Sequence, residues 1–330
     1  MPLLRDIFIN LSENQFLNNA SKKMGLKFGA QKVVGGITVE ETVHRIKDIN
    51  NQGMSVTFDN LGEFITDKND AREAKEHIIE IIRAIGENGL NASGSIKLTQ
   101  LGLNIDHDFC AANAREILEA AKNENIFINI DMENYASHHA TIRVVDLMME
   151  EFDNVGTVLQ SYLFDSAEDV YKYKDRRLRL VKGAYKEAPQ VAFQDKKDID
   201  KAFESLIRTH LTEGEGVTSI ATHDHNIIHN AIDFINEHGI PDDQFEFQML
   251  YGFRKELQRE LTEDGYHVCV YVPTGNDWYA YFMRRLAERP QNINLVLKSV
   301  TKDPIFKTAA AGTGVVLAGA ALYKLMARKK

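Results

Sequence analysis

Short β-branched and apolar runs recur eight times along this chain, each followed by a longer stretch of helical periodicity, and that alternation limits the fold more than any other feature. The runs are MSVTFD at 54–59, SIKL at 95–98, IFINID at 126–131, TVLQSY at 157–162, LRLVKG at 178–183, TSIATH at 218–223, FEFQML at 245–250 and VCVYVP at 268–273. Between them lie stretches such as DAREAKEHIIEIIRAIGENG and DIDKAFESLIRTHLTEG. These carry acids near the start and glycine at the close, as helix ends favour. Strand alternating with helix implies a parallel sheet. Eight such units match a (βα)8 TIM-type barrel, an α/β fold. The alternative is a doubly wound open sheet, disfavoured because no G-x-G-x-x-G follows the first strand. The chain then divides into an N-terminal helical segment (1–50), the barrel (51–306) and an apolar, then basic, tail (307–330).

Composition narrows the function classes. The 330 residues suit one α/β barrel. A net charge of −9 argues against a broad nucleic-acid surface. Cys110 and Cys269 have no metal-like spacing, which fits a reducing cytoplasm. The N-terminal MPLLRDIFINLSEN lacks the apolar core and cleavage site of a secretory signal. The stretch from Thr308 to Tyr323 is uncharged and ends in Lys324, Arg328, Lys329 and Lys330. It is slightly short of the about 20 apolar residues that span a bilayer. Two readings stand: a docked helix or frayed tail, and a membrane-contacting tail whose cations meet an anionic surface.

In a barrel the site lies at the carboxyl ends of the strands. Polar residues collect there. The first strand ends at Asp59 with Glu63 beyond, the second carries Lys97, and the third ends at Asp131 with Glu133 beyond. Gln160, Arg179, Lys182, Thr222, His223, Gln248, Leu250 and Tyr271 continue the ring. A charge inside an apolar strand is costly unless paired or functional. One such residue is easily an accident, but one near the end of nearly every strand points to a site, though not to a reaction.

Four further features need a choice of reading. In YFMRRLAERPQN (281–292), Tyr281, Arg284, Arg285 and Glu288 share one helix stripe. That stripe is either a solvated face or a grip for a small anion. His223 and His225 alternate as if on one strand face, but without a third ligand no metal is expected. His138 and His139 read as a loop or helix start, and Trp278 and Phe282 as the buried side of the last helix.

RLVKGAY, ATHDH, FEFQMLYG, YVPTG and WYAYFMRRLAERPQN, with FDNLGE and INIDMEN, resemble in order and spacing the motif series of the proline dehydrogenases, which are flavin-dependent proline oxidases. The resemblance covers roughly residues 35–300 and is closest to the monofunctional bacterial type. It implies a distorted barrel with non-covalent FAD above its carboxyl end and oxidation of L-proline to Δ1-pyrroline-5-carboxylate, with hydride passing from proline C5 to flavin N5. Asp131 and Arg179 are then the catalytic candidates. Lys97, Arg284, Arg285, Tyr271, Tyr281, Leu250 and Glu63 bind substrate, the paired guanidiniums taking its carboxylate. Met132, Gln160, Arg179, Val181, Lys182, Gly183, Ala184, Thr222, His223 and Glu288 contact the cofactor. The family commonly passes electrons to membrane quinone, which makes the tail a candidate contact with the inner face of the cell membrane. Two positions depart from the family pattern. Asp224 stands where Asn is common, putting a polar contact in doubt, and Lys186 stands where Trp is common, weakening adenine stacking. The rival functions are a lyase using Lys182 as a Schiff-base nucleophile and a non-catalytic amino-acid or flavin binding module.

Overall fold

The computed structural model describes residues 30–288, with side chains through Arg285. The expected tail at 307–330 and most of the N-terminal segment therefore lie outside the described residues. Two compact units are present: Val34–Gly275, and a second holding residues 30–33 and 276–288 among those described. No helix of the described residues is long and apolar enough to cross a membrane.

The larger unit is a (βα)8 barrel, as the alternation predicts. Helix α1 (Val39–Asn50) precedes β1 (Ser55–Asn60), α2 (Lys68–Glu87), β2 (Ala92–Ile96), α3 (His107–Asn123), β3 (Ile128–Ile130) and α4 (Tyr135–Glu151). The chain continues through β4 (Val155–Gln160), α5 (Ser166–Lys172), β5 (Leu178–Val181), α6 (Lys196–Glu213), β6 (Thr218–Ala221), α7 (His225–His238), β7 (Phe245–Leu250), α8 (Lys255–Glu263) and β8 (Val268–Thr274). All eight strands pair in parallel, and β1 closes on β8 from Ser55↔Cys269 to Asn60↔Thr274.

Acid and amide caps start the helices at the carboxyl face. The side chains of Asp67, Asp106, Asn134, Asp195 and Asp224 each accept a backbone N–H in the first turn that follows. Such caps satisfy donors that no intrahelical carbonyl reaches. Asp224 thus has a definite structural role at a position where the family pattern favours Asn. Because β6 ends at Ala221, His223 and His225 do not share a strand face. His223 lies in the loop and His225 opens α7.

Strand β2 differs from the expected SIKL. It begins at Ala92 and ends at Ile96, so Lys97 sits just past the strand. Ala-Ser-Gly has weak strand propensity, but the register Val56↔Ala92 to Asp59↔Ser95 imposes extension, a tertiary override of local preference.

The two faces of the strands divide sharply. Phe58, Ile96, Ile128, Ile130, Leu178, Leu180, Ile220, Phe247 and Val270 are buried in one apolar cluster with helix residues such as Ile78, Ile82, Leu118 and Phe203. Side chains alternate along a strand, so the residues between them face the barrel axis. These are Thr57, Ser95, Asn129, Arg179, Ser219, Glu246 and Gln248, all buried. Barrels of this class ordinarily fill the axis with branched aliphatics. Here the axis is polar, and Thr57, Ser95, Arg179, Ser219, Glu246 and Gln248 are joined there by side-chain hydrogen bonds.

The second unit contains helix α9 (Trp278–Glu288). Trp278 and Phe282 are buried, as expected, with ring centres 6.1 Å apart. Arg285 lies 5.2 Å from the centre of the Tyr281 ring one turn earlier, a cation–π contact. Arg284 and Arg285 are both half-buried. The Glu288 side chain lies outside the described ones.

Candidate active site

Lys97 is the hub of a buried charge cluster at the carboxyl end of the barrel. Its Nζ lies 2.8 Å from Asp59 Oδ2, 3.2 Å from Asp131 Oδ2 and 3.4 Å from Tyr271 Oη. Tyr271 donates in turn to Asp131 Oδ2 at 3.2 Å. Arg179 engages the other oxygen: Nη1 donates to Asp131 Oδ1 at 2.7 Å, Nε to Gln248 Oε1 at 2.7 Å and Nη2 to Thr57 Oγ1 at 3.1 Å. Because β1 and β5 face each other in an eight-stranded ring, the Arg179–Thr57 bond crosses the axis. The guanidinium also lies 5.3 Å from the centre of the Tyr271 ring. Lys97, Asp131, Arg179 and Tyr271, assigned from separate motifs, are brought into one contact network.

Charge in this network is set by burial and by neighbours. Burial pushes the Asp59 carboxyl up, and the Asp131 charge adds to that, against the pull of Lys97. Burial alone lowers Lys97, but the carboxylates of Asp59 and Asp131 outweigh it and hold Lys97 well above its ordinary value. Lys97 therefore keeps its proton. Burial, then the Asp131 and Asp59 charges, keep the Tyr271 phenol far above its usual range, so it remains a donor. Behind Asp131, Glu133 accepts from Thr99 N at 3.1 Å and Thr99 Oγ1 at 2.5 Å. Burial pushes its carboxyl up to about 7 despite these bonds.

The other predicted residues line the same rim. Gln160 Nε2 donates to the carbonyls of Met132 at 2.6 Å and Glu133 at 3.0 Å. Its Oε1 is buried with no hydrogen-bond donor. Thr222 Oγ1 accepts from Asp224 N, and His223 Nε2 accepts from Leu250 N at 3.3 Å. Val181 is half-buried opposite Gln160, and Ala184 is exposed. Lys182 Nζ is 2.5 Å from Asp200 Oδ1 and 3.4 Å from Asp224 Oδ2. An ion-paired lysine of this kind differs from the desolvated amine of a Schiff-base nucleophile. Gly183 takes φ +109°, and a Cβ there would meet the Tyr162 ring at 2.2 Å. Glycine is required at this turn by the backbone and by Tyr162. Glu63 is half-buried, and its charge is felt at Lys97 and Glu133. Lys186 is exposed.

Similarity to known proteins now bears on this geometry. The family model described as "Proline dehydrogenase" matches residues 42–296. The chain belongs to the proline dehydrogenase family. It is 44% identical to proline dehydrogenase 1 of Bacillus subtilis over 302 residues, 91% of this chain and 100% of the relative. Identity to the Deinococcus radiodurans proline dehydrogenase is 40% over 280 residues, 83% of this chain and 90% of that one. Among solved structures, proline utilization A from Bdellovibrio bacteriovorus, inactivated by N-propargylglycine, superposes with a TM-score of 0.73 at 23% identity. That match covers 78% of this chain and 32% of the larger one, and it supports the barrel fold alone. Family membership makes the chain an oxidoreductase of proline catabolism.

Several residues of the proline dehydrogenase network received no role from the sequence. Asp59 pairs with Lys97, and Gln248 orients Arg179. Glu246 Oε1 accepts from Gln248 Nε2 and Ser219 Oγ, each at 2.6 Å, and from Arg177 Nη2 at 2.5 Å. A signal was present: two polar residues two positions apart in an apolar strand, Glu246 and Gln248 in FEFQML or Thr57 and Asp59 in SVTFDN, must share the axial face.

Proposed function

We propose that this chain oxidises L-proline to Δ1-pyrroline-5-carboxylate at the carboxyl end of the barrel, using non-covalent FAD. The reading rests on one observation above the rest: a buried lysine, arginine, tyrosine and two carboxylates, from five strands or the loops just past them, converge in a network that leaves acceptor atoms open. Asp59 Oδ1 and Gln160 Oε1 are both buried without a donor. A bound cofactor and substrate carrying N–H groups would fill such acceptors. These residues fit the flavin, with Met132, Gln160, Arg179, Val181, Lys182, Gly183, Ala184, Thr222, His223 and Glu288 as the ones that would hold it. FAD would supply the hydride acceptor, N5 taking the hydride that leaves proline C5.

The chain's own residues bind and orient. Arg284 and Arg285 hold the substrate carboxylate, Glu63 pairs with one of them as a gate, and Tyr271, Tyr281 and Leu250 pack the pyrrolidine ring. Both Asp131 oxygens are committed to Arg179, Lys97 and Tyr271. Asp131 therefore fixes the positions of its three partners, and Asp59 Oδ1 is the oxygen left to accept from the substrate amine. Lys97 and Arg179 supply positive charge that favours a neutral amine over an ammonium, as hydride loss requires.

Electrons then pass to a membrane quinone, with the protein in the cytoplasm at the inner face of the membrane. The uncharged stretch 308–323 and the cations after it support that contact. Deleting residues 308–330 should reduce co-sedimentation with anionic liposomes, and unchanged partitioning would end this part of the reading.

The deciding experiment is a visible spectrum of the purified protein before and after anaerobic L-proline. A yellow protein that bleaches supports the proposal. A flavin that binds but stays oxidised indicates a binding module, and a colourless protein trapped by borohydride on a carbonyl substrate indicates a lyase.

A further inference from the structure

Beside this site, on the outer rim, a buried imidazole faces two carboxylates. His138 is in the first turn of α4 and is 3% exposed. Its Nδ1 lies 3.2 Å from Met132 Sδ. A thioether has no hydrogen to give, so Nδ1 carries the proton and donates to sulfur. When the ring is neutral, this leaves the lone pair of Nε2 facing Asp165 Oδ2, 3.5 Å away, and Asp169 Oδ2, 3.7 Å away. Neither distance is a hydrogen bond.

Two details bear on this arrangement. The Asp165 backbone at the start of α5 is helical and its side chain makes no capping bond; it accepts instead from Tyr135 Oη at 3.2 Å and faces His138. Asp169 Oδ2 is buried and has no hydrogen-bond partner.

We infer that His138, His139 and Asp165 form a binding site for a divalent transition cation of the zinc class, with Asp169 beside it as a further carboxylate ligand. One ligand atom from each of the three lies within 4.8 Å of the others. Zinc bonds of about 2.0–2.1 Å in a tetrahedron place ligand atoms roughly 3.3 Å apart. The separations of 3.5 and 3.7 Å from Nε2 are close to that spacing. Mixed imidazole and carboxylate ligands suit zinc and its neighbours better than calcium or magnesium. His139 is exposed, so an ion can enter from solvent. The Nδ1–H bond to Met132 fixes the His138 tautomer, as outer contacts do for metal-ligating histidines. Tyr135 stacks on His138 at 5.5 Å and holds its plane. The site is independent of the proline reading and needs no turnover to be tested.

The test uses the full chain without a histidine tag, stripped with a chelator and titrated with Zn2+ by calorimetry, with retained zinc measured by elemental analysis. His138 is buried, so the informative variants are His139→Ala and Asp165→Asn, checked for unchanged circular dichroism and Tm without metal. The inference requires one tight equivalent in the parent chain, a higher Tm with zinc, and binding roughly tenfold or more weaker in each variant. It is overturned if the parent retains no zinc, or if both folded variants bind as tightly as the parent. In the latter case the ion sits on other histidines among the 11 in the chain.

Discussion

Arg179 Nη1 lies 2.7 Å from Asp131 Oδ1 across the mouth of the barrel, joining β5 to the loop after β3. Both groups are nearly excluded from solvent, so neither charge has water to fall back on. Arg179→Met should therefore destabilise the fold by about 3–5 kcal/mol, as removing one partner of a buried pair does. Urea unfolding measures this, and a loss under 1 kcal/mol would show that the pair is solvated in practice.

Lys97 and Asp59 should behave as one unit. Lys97→Met leaves two carboxylates near each other without their shared cation, and Asp59→Asn removes the one whose ionisation burial already disfavours. The double variant should lose less stability than the two single losses added, with a coupling of about 1–3 kcal/mol. Strict additivity in a double-mutant cycle would contradict the hub role of Lys97.

Gln248 acts through Arg179. Its Oε1 accepts from Nε, while Glu246 holds its amide in that orientation. Gln248→Leu should lower kcat/KM for proline about tenfold or more, matching the net value of a hydrogen bond to a charged group. Steady-state kinetics within twofold of the parent would remove Gln248 from the list of positioning residues.

Glu133 predicts a pH dependence of stability. Its carboxyl rises from an ordinary 4.5 to about 7 in the folded chain. A raised acid stabilises the fold fully below the unfolded value and loses that contribution as pH climbs through the folded value. The stability of the parent relative to Glu133→Gln should thus fall by about 3 kcal/mol between pH 4.5 and 7.5. Chemical denaturation at several pH values checks it, and a gap that stays constant with pH would refute the assignment.

Arg284 and Arg285 carry the substrate carboxylate in the proposed function. Either changed to Ala should raise KM for proline about tenfold to a hundredfold, the range for a charge-assisted hydrogen bond, while flavin content stays near normal. Loss of flavin without a change in KM would assign the pair to the cofactor.

Much of this protein is readable one residue at a time. The helix caps Asp67, Asp106 and Asn134 act within their own first turns, and the apolar alternation in FEFQML marks which side chains meet the helices. Lys97, Asp131, Arg179 and Tyr271 were legible as charged or polar residues where apolar ones belong. Their partners were harder to see. Asp59 and Gln248 were visible at strand ends, but a role for them depends on which strands face each other across the axis. His138 and His139 read as a loop or helix start, and the helix does begin at Tyr135; the carboxylates facing His138 come from another βα unit and were not legible beside it.

The amino-acid order alone therefore determined the number of βα units, the side of each strand that is apolar, and the set of polar residues at the strand ends, since all three follow from local periodicity and the cost of burying charge. The closed ring decided which of those residues touch. Closure places β1 opposite β5 and β3 beside β4, so contacts such as Arg179 to Thr57 arise from strand geometry that no short stretch of sequence contains.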